Sequence, residues 1–224
     1  MSIQHHPDLT TLMAFSAGSL DEPYAAVIST HLAMSEGGRE TLRHIDTIGG
    51  ALLHAEPEAE LANGALDRLL AALGDEAIQV VPHDQRVAGA LSPSTPSSLP
   101  LPLQRYLPQG LEAVKWKWTG PGVATADLAW GRDGKSRLML LRVAAGRRVP
   151  EHGHGGQELT LILSGAYRDR FGVFAAGDIA DHDEDVEHQP IAEPGEDCVC
   201  LVAVDAKLTF RGRLMRALQP LFGL

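Results

Sequence analysis

The sequence predicts an α+β protein of two domains: a small all-α domain at the N-terminus, then a β domain of the sandwich or small-barrel kind. Three observations carry this. Apolar residues recur at helical spacing over the first 75 residues. A Ser/Pro/Gly-rich stretch, GALSPSTPSSLP at 89–100, then interrupts the chain and reads as a flexible or extended linker. Beyond it lie short β-rich runs separated by turn dipeptides. The expected domains are 1–75 and 101–224, with a linker at 76–100.

Leu9, Leu12, Met13 and Ser16 form the first helical face, after Pro7-Asp8. Asp8 stands where it can cap, and Gly18-Ser19 breaks the helix. Tyr24, Val27, Ile28, His31 and Leu32 make a second amphipathic helix, with Pro23 in its first turn and Gly37-Gly38 beyond its end. A third is expected over 39–54, from Leu42, Ile45, Ile48, Leu52 and Leu53, and a fourth over 58–73, from Leu61, Ala65, Leu66, Leu69 and Leu73. Such short helices are marginal alone and must bury their stripes on each other or on a partner. Strands are expected at 114–118, 124–130, 137–143, 159–163, 166–171, 177–180 and 198–204. A terminal helix is expected at 212–224, where Leu214, Leu218, Leu221 and Phe222 recur near helical spacing.

Composition narrows the function classes. At 224 residues with 44% apolar and 21% charged side chains, the chain is too apolar to be disordered. No apolar run approaches the roughly 18 residues of a membrane helix, and MSIQHHPDL lacks the basic and apolar regions of a signal peptide. The expected compartment is the cytoplasm. Cys198 and Cys200 are two apart and too far from each other in a strand for an unstrained bridge, which excludes a disulfide framework. Residues 1–99 carry 13 Asp/Glu against 4 Lys/Arg, so most of the net charge of −10 sits there. That half repels nucleic-acid phosphate; on charge alone it reads first as a solvated acidic surface, with docking on a basic protein partner as the alternative.

The chemistry concentrates at 146–165, GRRVPEHGHGGQELTLILSG. His152, His154 and Glu158 share one parity, so an extended segment turns all three to one face. Glycines 153, 155 and 156 keep the neighbourhood narrow. His188, ahead of Gln189-Pro190, is the natural fourth ligand from a facing strand. Three imidazoles and a carboxylate suit zinc, iron, manganese or nickel, and ligand softness alone does not choose among them; zinc is the first expectation. The run 181–187, including His182, reads as a solvated loop, with a role behind the ligands left open.

Residues 146–165 match the first cupin motif, G(x)5HxH(x)3–4E(x)6G, at every fixed position, and His188 stands where the second motif places its histidine. The second motif otherwise lacks its Pro-x-Gly and terminal Asn. The resemblance implies a double-stranded β-helix, or jelly-roll barrel, with a divalent metal in its mouth. The segment HHPDLTTLMAFSAGSLDEPYAAVISTHLAMSEGG resembles the zinc-binding anti-sigma domain, where a histidine ahead of the first helix joins a later H-x3-C-x2-C. Helical domain, linker and cupin, with DCVCL near the end, is the layout of the ChrR-type anti-sigma factors of the bacterial singlet-oxygen response. That resemblance implies a regulator that holds an extracytoplasmic-function sigma factor inactive through the helices and releases it on stress through the cupin.

His6 and His31 fall on the two zinc histidines of that pattern, but Ser35 and Gly38 occupy the cysteine positions. Neither is a usual zinc ligand, so this vestigial site is expected to lack zinc, even with His5, Glu36 or water nearby. The competing expectation is a metal-dependent, dioxygenase-like cupin enzyme with an accessory helical domain. No further constellation of acid, base or nucleophile supports turnover. The partners expected are a sigma factor and, compatibly, a second copy of the chain, with no direct nucleic acid and no membrane.

Overall fold

The computed structural model describes residues 3–73, 99–132, 134–153, 155–205 and 209–210. The expected linker, apart from its last two residues, and the expected helix at 212–224 lie outside the described residues.

Helix α1 (Leu9–Ser16) ends at Gly18, whose φ of 67° suits glycine. Asp8 stands at its N-cap, but the side chain does not cap; the Asp8 amide instead donates to Asp181 Oδ2 at 3.2 Å. Helix α2 (Glu22–Met34) carries Pro23 in its first turn, where a missing N–H costs nothing. Gly37 and Gly38 do not end α2, as their type suggests. They lie in the first turn of α3 (Glu36–Ala55). The break is the single residue Ser35, extended at φ −111° and ψ 116°, whose Oγ accepts the Gly38 amide at 2.9 Å and so caps α3. Helix α4 (Ala65–Leu73) starts later than the apolar pattern implies, because Gly64 takes φ 71° immediately before it.

A helical turn α5 (Leu101–Gln104) and a 3-10 turn (Leu111–Ala113) lead into the strands. These are β1 (Lys117–Gly120), β2 (Val123–Trp130), β3 (Arg137–Val143), β4 (His152–Gly153), β5 (Glu158–Ser164), β6 (Ala166–Asp169), β7 (Gly172–Ala175), β8 (Ile179–His182), β9 (Glu187–His188), β10 (Ile191–Ala192), β11 (Cys198–Val204) and β12 (Thr209–Phe210). They form a six-stranded sheet in the order β1-β2-β3-β11-β5-β8 and two three-stranded sheets, β10-β6-β7 and β12-β4-β9. The named pairings are antiparallel. The first expected strand, 114–118, shifts to β1 at Lys117–Gly120, and β7, β10 and β12 lie outside the expected runs.

Strands β3, β5 and β11 are apolar at both parities, and the structure uses both. Leu138, Leu140, Leu159, Leu161, Leu201 and Ala203 face one way and pack with Leu12, Val27, Ile28 and Leu32 of the helices. Met139, Val143, Ile162, Cys198, Cys200 and Val202 face the other way into the barrel. A sheet covered on both faces needs this double pattern, whereas a half-exposed sheet alternates. Tyr24 of α2 fastens the layer further, its hydroxyl donating to the Gln157 carbonyl at 3.0 Å. Residues 1–48 and 99–224 accordingly form one compact unit. Residues 49–98 form a second, whose described part holds the end of α3 and α4.

Candidate metal centre

Two cross-strand pairs build the centre. In the β4–β9 ladder His152 stands opposite His188, and in the β5–β8 ladder Glu158 stands opposite His182. Directly opposed residues project from the same face of a sheet. His152, Glu158 and His188 are buried, and each offers one ligand atom within 4.8 Å of the others. The two imidazole centroids are 4.7 Å apart. This set could hold a metal ion. His154, the remaining expected ligand, lies outside the described residues. Common parity is not what unites the set, since the chain bends at Gly155-Gly156 between the motif's histidines and Glu158. Strand pairing sets His152 against His188, and Glu158 reaches them from the six-stranded sheet.

Hydrogen bonds select the nitrogen that each imidazole presents. His152 Nδ1 lies 2.8 Å from the Pro150 carbonyl, which can only accept, so Nδ1 carries the proton and Nε2 keeps its lone pair. His188 Nδ1 lies 3.0 Å from Asp169 Oδ2. Burial opposes the charge on Asp169, but the His188 contact and the Phe171 amide outweigh it and hold this carboxyl below its usual range. Glu158 Oε1 accepts from Thr160 Oγ1 at 2.9 Å. Two Nε2 atoms and a buried carboxylate are a donor set that borderline divalent transition metals accept.

His182 is not part of a solvated loop. It ends β8, is buried, and sets its ring edge-on to His188 at 4.7 Å between centroids. Only the turn beyond it, 183–185, is exposed. Asp169, His182 and His188 form a second group whose ligand atoms lie within 4.8 Å. Asp169 carries no motif signal, and His182 is hidden in an acidic run that reads as surface. A cavity of about 60 Å³ adjoins the centre, walled by Val123, Met139, Val149, Tyr167, Cys200 and Val202. The Tyr167 hydroxyl is buried there without a hydrogen-bond partner among the described residues. Cys198 and Cys200 Sγ are 3.6 Å apart as free thiols. The contact with Cys198, together with burial, pushes the Cys200 thiol up, so it stays protonated.

At the other expected site, His6 Nδ1 and His31 Nε2 are 3.2 Å apart, and His31 Nδ1 donates to the Gly177 carbonyl at 2.9 Å. His31 is fully buried. Burial lowers its pKa to about 4. Because His31 Nδ1 holds the proton, Nε2 accepts from His6 Nδ1. Ser35 Oγ is engaged as the α3 cap, and a Cβ built on Gly38 would stand 3.2 Å from His31 Nε2. The four positions of the zinc pattern thus meet in space, but two of them lack a ligand atom of the thiolate, imidazole or carboxylate type that structural zinc takes.

Residues 109–207 match the ChrR cupin-like domain family. The anti-sigma-E factor ChrR of Cereibacter sphaeroides is 40% identical to this chain over 222 residues, 99% of each protein. A crystal structure of Rhodobacter sphaeroides SigE in complex with the anti-sigma ChrR contains a chain 36% identical to this one, with a TM-score of 0.73. That match covers 91% of this chain and 100% of the other.

Proposed function

This chain belongs to the ChrR family of anti-sigma factors, and on that premise we propose that it sequesters an extracytoplasmic-function sigma factor through its helices and reads stress through a metal-bearing cupin. The observation that carries the first half is an uncovered apolar surface. Ile48, Leu52 and Leu53 of α3, and Leu66, Leu69, Leu70 and Leu73 of α4, are each more than half exposed and recur at helical spacing. Stripes of this size mark contact surfaces, and helical ones dock into apolar grooves. The acidic surroundings favour a basic partner and would steer its approach. The similar Rhodobacter sphaeroides ChrR was crystallised with SigE.

The division of labour is 1–75 for binding, 76–100 as linker and 101–224 for sensing. His152, His154, Glu158 and His188 hold one divalent transition metal, zinc foremost. When bound, such an ion offsets a buried carboxylate and ties β4, β5 and β9 together. The His6–His31 site carries no zinc, because Ser35 and Gly38 supply no thiolate. The protein acts in the cytoplasm, where a sigma factor works; no described helix is long and apolar enough to cross a membrane.

A transcriptional reporter driven by the partner sigma factor tests this reading. The full chain represses it, and Leu52→Asp/Leu69→Asp abolishes repression while the fold is kept. His188→Ala keeps repression and loses the stress response. Repression that survives the double aspartate variant removes the helical surface from the proposal. The cavity beside the donor set favours, as a second reading, a metal-dependent enzyme, and metal-dependent turnover without any effect on the reporter would select it.

A further inference from the structure

His188 is held by residues from three different sheets. It pairs with His152 in the β12-β4-β9 sheet, and His182 of the six-stranded sheet packs against its ring. Asp169, the last residue of β6 in the β10-β6-β7 sheet, meets its Nδ1 at 3.0 Å. The two side chains are 2% and 0% exposed, so water does not compete for the contact. Asp169 is itself fixed. Its Oδ1 accepts the Phe171 amide at 2.8 Å, and its backbone pairs with Gly172 across the β6–β7 turn. One oxygen therefore anchors the carboxylate in the turn, and the other is left for His188. An imidazole free to flip presents either nitrogen, whereas one whose Nδ1–H is bound to a carboxylate presents only Nε2.

We infer that Asp169 is a positioning residue for the metal centre: its carboxylate holds His188 in the Nδ1–H tautomer and leaves Nε2 for the ion shared with His152 and Glu158. The inference rests on the metal-binding reading above. It assigns a role to a residue outside the cupin motif and on a different sheet from the imidazole it orients. Asp169 thereby couples the β6–β7 turn, with its half-exposed Phe171, to the centre. Phe171 lies 5.2 Å from the His182 ring, so the turn closes over the second imidazole as well.

Two measurements on the full-length protein separate this inference from its premise. The first is the tautomer of His188 in metal-free protein, read from nitrogen-15 chemical shifts and ring couplings. The Nδ1–H form is expected in the wild type, and a mixture in Asp169→Ala. The second is zinc affinity by chelator competition, where Asp169→Ala is expected to weaken binding about 10- to 100-fold, as loss of a carboxylate behind a metal histidine does. The number of ions bound at saturation should stay the same. Asp169→Asn keeps the shape and an accepting oxygen without the charge, so it should fall between the two, and it decides the matter if Asp169→Ala does not fold. Zinc affinity within twofold of wild type in a folded variant would overturn the inference, as would the Nε2–H tautomer in the wild type. A second zinc ion lost with Asp169 would also overturn it, by making Asp169 a ligand in its own right. If the wild type binds no zinc, the metal reading fails, while the tautomer still decides whether Asp169 orients His188.

Discussion

Acidification should destabilise this protein through His31, and the structure sets the size of the effect. His31 is enclosed by α2 and by the turn between β7 and β8, with its Nδ1 proton on the Gly177 carbonyl. The titratable groups facing it are His6 from the N-terminal arm and Asp178 from that turn; His6 opposes a charge on His31 and Asp178 favours one. Burial dominates, and the pKa falls from 6.5 to about 4. The folded state therefore binds fewer protons than the unfolded chain between these values. Its stability is complete above pH 6.5, falls as the pH drops toward 4, and loses nothing more from this group below that. A depression of this size corresponds to roughly 3 kcal/mol, of which about 2 kcal/mol is lost between pH 7 and pH 5. That is a large share of the 5–15 kcal/mol typical of a domain. Urea unfolding followed by circular dichroism at pH 7, 6 and 5, on wild type and His31→Asn, isolates the contribution. Asparagine carries an amide N–H at the position of Nδ1, which faces Gly177, but does not titrate. The wild type should lose about 2 kcal/mol more than the variant across that range. Equal losses, within about 0.5 kcal/mol, would show that His31 is not the buried neutral group described here.

The remaining expectations concern metal and packing. Purified full-length protein should carry about one equivalent of transition metal, as a single four-ligand set requires; a His152→Ala/His154→Ala variant that keeps its full metal content would end that assignment. Ser35→Cys/Gly38→Cys should add a second equivalent of zinc, because it supplies two thiolates beside His6 and His31, whose facing nitrogens are already 3.2 Å apart; unchanged zinc content would mean that the two histidines are no longer placed for an ion. Leu140→Ala, in the layer between sheet and α2, should cost about 2–5 kcal/mol in urea unfolding, as buried leucines do. A loss below about 1 kcal/mol would mean that the layer is loosely packed.

Much of this architecture is legible residue by residue. The helical and β segments of the chain differ in apolar period, which depends on neighbours three or four residues apart in one and two apart in the other. The ends of β3 and β11 coincide with the expected runs because each is a short, continuous apolar run with a turn near its end. Gly37 and Gly38 have the residue type of a helix end but lie inside α3, because Ser35 both ends α2 and caps α3, and a side-chain hydrogen bond of that kind leaves no periodic trace. His182 was hidden for a related reason. Five of its neighbours in 181–187 are acidic, but β8 lies in the six-stranded sheet and turns this histidine inward.

The sequence by itself determined the helices of 9–55 and the longer strands β2, β3, β5 and β11, and which residue types stand ready as ligands near 152–158. It also determined that two positions of the N-terminal pattern carry no thiolate. Only the tertiary structure decided that α2 covers the outer face of the six-stranded sheet, that His152 meets His188, and that Asp169 reaches His188 from another sheet. The physical reason is range. Helix and strand preferences arise from contacts within one turn or one pleat, whereas register between β4 and β9 joins residues 36 apart and is set by the packing of two apolar cores at once.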